Sequence, residues 1–134
     1  MVYRVWSRQT GLSLLENLLL LLTVVAILLA AGFVRQRWEE QARIAAATQA
    51  LHVAQSEQLA RTRAAPDAPC RYPPDTKYFA MRCSSSAGQF TLSAHGMGEM
   101  AGFVYRIDSH GHRTSLTPWR GAQACWVLQR NTQC

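Results

Sequence analysis

Four cysteines, Cys70, Cys83, Cys125 and Cys134, carry the most definite chemistry in this 134-residue chain. They fall in the C-terminal half, and no cysteine occurs elsewhere. An even number confined to a short stretch behind an apolar segment points to disulfides made in an oxidising compartment. Three pairings are open. Cys70–Cys83 with Cys125–Cys134 is favoured, because each bond then closes a short local loop. A structural zinc site is the alternative, and the absence of any C-x-x-C spacing speaks against it. His95, His110 and His112 suggest a metal only weakly. His110-Gly111-His112 reads as an exposed turn without a carboxylate or cysteine free to ligate. The run Ser84-Ser85-Ser86 makes no nucleophile elbow or ordered triad with those histidines, and no glycine-rich phosphate loop occurs. The expectation is a protein that is not an enzyme and uses no cofactor and no metal.

The other chemically pointed residue is Glu16. Residues 12–34 are interrupted among polar types only by Ser13, Glu16, Asn17 and Thr23, and residues 18–34 carry no charge. At about 1.5 Å per residue, these 23 residues span the roughly 30 Å hydrocarbon core of a bilayer. An acid near the end of such a helix costs about 2.5–3.5 kcal/mol if held at the bilayer centre, which makes it a candidate for function. Its natural partner is a positive amine on a neighbouring helix; the alternative is a glutamate that snorkels to the interface unpaired. Asn17 and Ser13 read as helix-packing polar groups. Arg4 and Arg8 precede the run and place the N-terminus in the cytoplasm, while Arg35 and Arg37 behind it weaken that bias. A secretory signal would put its small residue after the apolar stretch. Here Gly11 comes before it.

Gly11, then Leu12, then a glutamate four positions later at Glu16, then an uninterrupted apolar run, resembles the N-terminal signal of the type IV prepilins. The resemblance implies cleavage between Gly11 and Leu12 by prepilin peptidase, N-methylation of Leu12, and an assembly role for Glu16 opposite the Leu12 amine of the next subunit. It also implies other pilin subunits and an inner-membrane assembly platform as partners. Before assembly the chain would be a single-pass inner-membrane protein with a periplasmic head, and afterwards part of a surface pilus. The chain departs from the family's usual pattern in two places: Leu12 stands where phenylalanine is common, and Gly32-Phe33 where a proline often lies. Both departures suit a minor subunit.

The elements that would position these residues follow from periodicity. From residue 35 to 65 there is neither Pro nor Gly, and Ala, Gln, Glu, Arg and Leu dominate, so the helix is expected to run on to Arg63, for 52 residues or about 78 Å. Ile44, Ala47, Leu51 and Ala54 form an apolar stripe at 3–4 spacing, suited to covering a sheet. Trp38 reads as an interfacial or core aromatic. Pro66 and Pro69 end the helix, and Tyr72-Pro73-Pro74-Asp75 extends the loop. Strands are expected at 77–83, 89–95, 102–108 and 112–116, with a fifth at 124–128 carrying Trp126. Turns are expected at 84–88, 96–98 and 109–111. The expected organisation is a leader (1–11), an assembly helix (12–34), an amphipathic half-helix (35–65) and a disulfide-stapled head (66–134). A head of about 65 residues buries a modest core and gains from covalent help. The fold class is α+β, a long helix on a small antiparallel sheet of four to five strands, similar to the type IV pilin fold. The head segments YFAMRCSSSAGQFTLSAHG and GFVYRIDSHGHRTSL resemble PilE-type minor pilins. That implies a part in pilus biogenesis, adhesion, twitching motility and DNA uptake.

Net charge is +6. From residue 70 onward, Arg71, Lys77, Arg82, Arg106, Arg113, Arg120 and Arg130 face only Asp75, Glu99 and Asp108. Arginine beside aromatic residues can contact phosphates and stack on bases. Arg113, Arg120 and Arg130 are therefore candidate DNA contacts, in the manner of a ComP-like uptake receptor; ordinary surface arginines are the alternative. A pseudopilin of a type II secretion system is a further alternative, because the same N-terminus serves both machines.

Overall fold

The computed structural model describes residues 13–134. The expected cleavage and methylation residues, Gly11 and Leu12, lie outside the described residues. A single helix, α1, runs Leu14–Ala64. It starts at a reciprocal cap. The Ser13 N–H donates to Glu16 Oε2 at 3.2 Å, and the Glu16 N–H donates to Ser13 Oγ at 3.3 Å. This S-x-x-E capping box satisfies two helix-start donors that otherwise lack partners. Ser13 is thus the cap rather than a helix-packing group, and the helix begins two residues later than expected. It ends where Ala65 meets Pro66, since the residue before proline is pushed out of helical geometry.

Five strands follow: β1 (Phe79–Ser86), β2 (Gln89–Gly96), β3 (Val104–Asp108), β4 (Arg113–Thr117) and β5 (Gly121–Gln123). They form one antiparallel meander in chain order. The chain divides into two compact units, one ending at Arg37 and the other running Trp38–Cys134. The amphipathic half of α1 therefore belongs with the sheet.

Within the second unit the expected stripe is the cover of the sheet. Ile44, Ala47, Leu51 and Ala54 are buried with Phe79 and Met81 of β1, Phe90, Leu92 and Ala94 of β2, and Tyr105 and Ile107 of β3. The helix offers residues at 3–4 spacing and the strands at alternate positions, so both periodicities converge on one apolar layer. Arg43 reinforces the junction. Its guanidinium lies 2.6 Å from Glu99 in the 3-10 turn Gly98–Met100 and 3.8 Å above the Tyr78 ring.

Three expectations are corrected. The serines at 84–86 are strand rather than turn, pairing Ser84 with Thr91, Ser85 with Phe90 and Ser86 with Gln89. The reversal needs only Ala87 and Gly88, with φ of 50° and 77°. Two consecutive left-handed residues make the primed turn that matches strand twist. Residues 102 and 103 precede β3, because Gly102, at φ 91°, turns the chain there. The last strand is Gly121–Gln123, and residues 124–128 are not a strand. Their polar groups are held by side chains instead. Ser115 Oγ donates to the Cys125 carbonyl and accepts from the Val127 N–H, and the Tyr105 hydroxyl donates to the Val127 carbonyl at 2.8 Å. Those bonds satisfy the backbone without a ladder.

Candidate functional site

The first unit offers an apolar surface and one acid. Every described residue from 13 to 39 is exposed. Leu18 to Leu22, Ile27, Leu28 and Leu29 are each more than half exposed. This helix is long and apolar enough to cross a membrane. Thr23 returns its hydroxyl to the Leu20 carbonyl at 2.8 Å, so that polar group is satisfied inside the helix. Glu16 commits one carboxylate oxygen, Oε2, to the cap. The capping signal lies in the letters Ser13-Leu14-Leu15-Glu16, where the glutamate serves the helix start as well as carrying a charge.

The four cysteines are paired Cys70–Cys83 and Cys125–Cys134, with Cα atoms 6.0 and 5.7 Å apart. The first bond ties the loop after α1 to β1; the second closes the C-terminal segment on itself. Gln58, which sequence reasoning did not single out, supports the first loop. Only 2% exposed, it donates to the Pro69 carbonyl at 3.3 Å and accepts from the Arg71 N–H at 3.2 Å. A buried amide must find such partners.

The three arginines marked for DNA contact do not converge. Arg113 opens β4, whereas Arg120 follows its far end, with its N–H on Thr117 Oγ1 at 3.3 Å. The strand alone separates them by roughly 13 Å. Arg113 lies 4.6 Å over the Trp126 ring. Arg130 sits 5.5 Å over Trp119 and 3.7 Å from Glu40. The arginines that the fold does align are Arg82 and Arg106. Strand register places Arg82, Ser93 and Arg106 side by side across β1, β2 and β3. They occupy the parity opposite to the core residues, a signal the sequence held once the register was known. His95 lies two residues along the same face, 3.1 Å from Ser93 Oγ. Burial lowers the His95 pKa, and the charges of Arg106 and Arg82 lower it further. Ser93 is buried, and the charges acting on His95 are cationic.

The turn histidines carry the largest correction. Asp108 supplies the carboxylate that the sequence reading denied them. Its Oδ1 accepts the N–H groups of His110 and His112, both at 2.9 Å, and its Oδ2 lies 3.0 Å from His112 Nδ1. Burial alone would raise the Asp108 pKa, but the hydrogen bonds from His112 and His110 outweigh it and hold the carboxyl below its ordinary value. The carboxylate sits four residues before His112, a spacing that becomes a contact only because the hairpin turns between them.

No protein-family model, no curated protein and no solved structure matches the chain.

Proposed function

We propose that the chain is a minor subunit of a type IV pilus, assembled through its N-terminal helix and bearing its sheet as an exported head. The observation that carries this reading is the uncovered apolar stretch of α1, headed by Glu16 four residues after Leu12 of the Gly11-Leu12 pair. The fold supports it: a long helix whose second half covers a five-stranded antiparallel meander is an α+β arrangement of the pilin-like kind. Two disulfides suit a head that folds in an oxidising compartment. Function here is association rather than catalysis. A membrane holds the free subunit, prepilin peptidase removes residues 1–11, and Glu16 meets the amine of a neighbouring Leu12 on the assembly platform.

The capping box makes this testable in a way that charge alone does not. Glu16→Ala removes both cap and charge, whereas Glu16→Gln keeps an oxygen to accept the Ser13 N–H and removes only the charge. Both variants should be processed normally and be missing from sheared filaments. Wild-type incorporation of Glu16→Gln would overturn the electrostatic role. Processing itself is tested by Gly11→Val, which should leave the full-length chain uncut on a denaturing gel.

DNA capture by the head is the second reading, and the aligned pair Arg82 and Arg106 is the observation that favours it. Mobility shifts should separate the two arginine sets. Arg82→Ala with Arg106→Ala should abolish a salt-sensitive shift, and the triple alanine variant at 113, 120 and 130 should not.

A further inference from the structure

We propose that Asp108, His110 and His112, at the tip of the β3–β4 hairpin, bind one divalent transition-metal ion of the zinc, copper or nickel class. One ligand atom from each residue lies within 4.8 Å of the other two. Asp108 Oδ2 and His112 Nδ1 already stand 3.0 Å apart. An ion at about 2.1 Å from each would subtend roughly 90°, within the range that transition ions adopt. Ligation needs His112 Nδ1 without a proton, so binding is coupled to pH.

The Asp108 carboxylate divides its work. Oδ1 is consumed by the two backbone N–H groups, which fixes the plane of the carboxyl and leaves Oδ2 to project. The backbone beneath is anchored from several sides. Asp108 exchanges hydrogen bonds with His112 and Gly111 across the turn, at 3.1 and 3.0 Å. The Ser109 N–H reaches the Phe90 carbonyl at 2.9 Å, and Gln55 of α1 donates to the Asp108 carbonyl at 3.5 Å. Gly111, at φ 82°, permits the reversal that brings both histidines to one side. The His110 and His112 rings lie 5.9 Å apart and 26° from parallel. Both side chains are exposed, so their rotamers have room to adjust about an ion.

Two imidazoles and one carboxylate select borderline transition ions over calcium or magnesium, which prefer all-oxygen shells. Three protein ligands leave at least one coordination position open to water or an anion. A shallow cleft of about 210 Å³ borders His110 and is lined by Ser84, Ser85, Ser86 and Thr91. This inference is independent of the pilin reading, since it needs only the hairpin.

The test is calorimetric titration of the untagged full-length protein in detergent micelles with zinc chloride, repeated with cobalt chloride to read the ligand-field spectrum. The expected result is one ion per chain and a cobalt spectrum of nitrogen and oxygen ligation. His110→Gln and His112→Gln should each weaken binding about 10–100-fold, while His52→Gln and His95→Gln leave it unchanged. Asp108→Asn should also weaken binding; because it acts on the turn as well, circular dichroism must show the sheet intact before that variant counts. Absence of one-to-one binding at millimolar zinc, unchanged affinity in the His110 and His112 variants, or an equal loss in His95→Gln would overturn the site.

Discussion

The two stretches of α1 share a backbone conformation and differ in what covers them. Residues 18–34 carry no charge and are exposed throughout, whereas in residues 38–64 the apolar residues Ile44 and Leu51 are fully buried against the sheet. Helix propensity serves both equally, so it explains neither difference. In the second stretch the apolar residues are few, spaced 3–4 apart, and answered by strands of the same chain. In the first they are continuous around the helix, and each of them is exposed. A helix apolar on all sides suits a core or a bilayer, and this one is long and apolar enough to cross a membrane.

That contrast can be broken most directly by matched truncations. Leu51→Ala should cost the head about 2–5 kcal/mol in a denaturant titration, while Leu22→Ala should leave head unfolding within about 0.5 kcal/mol of wild type. An equal loss from Leu22→Ala would break the contrast. The covalent staples come next. Cys70→Ser with Cys83→Ser should lower head stability by about 2–4 kcal/mol and leave membrane retention of the full chain unchanged, as measured by carbonate extraction.

A smaller effect of opposite sign is expected at the β1–β2 turn. Ala87 holds φ 50°, a region that costs a residue with a Cβ about 1–2 kcal/mol. Ala87→Gly should therefore stabilise the head by about 0.5–1 kcal/mol net of its added chain entropy. The smallest effect is acid sensitivity confined to the head. The folded pKa of His95 is lowered, so the unfolded chain binds its proton first. Its contribution is fully present above the unfolded histidine value and is lost as pH falls through the folded one. His95→Gln should flatten the fall in melting temperature below about pH 6.5, while Asp108, also lowered, adds a second loss nearer pH 4 and below.

Much of the architecture was legible because it rests on periodicities that short-range letters carry. The stripe at Ile44, Ala47, Leu51 and Ala54, the alternation of Phe90, Leu92 and Ala94, and the paired prolines after α1 each state a local rule. The misplaced elements are those where a local rule was overruled. Ser84 to Ser86 look like a turn by composition, yet they continue a ladder whose register is set by Phe79 and Met81. Residues 124–128 alternate like a strand, but Tyr105 and Ser115 claim their backbone groups first. The candidate sites were less legible for the same reason. The alignment of Arg82 with Arg106 and the approach of Asp108 to His112 are products of register and turn geometry, which no window of sequence contains.

The chain-order meander has a kinetic consequence. Each strand pairs only with its predecessor and successor, so every hairpin closes over a few residues and no strand waits for a distant one. Loop-closure entropy is correspondingly small at each step. The one demanding search is the docking of the 44–54 stripe on strands that begin some 25 residues later. The rate-limiting event in forming the head should therefore be the capture of a preformed sheet by a preformed helix. Mutations along that stripe should then slow folding, while mutations confined to the β4–β5 hairpin should mainly hasten unfolding.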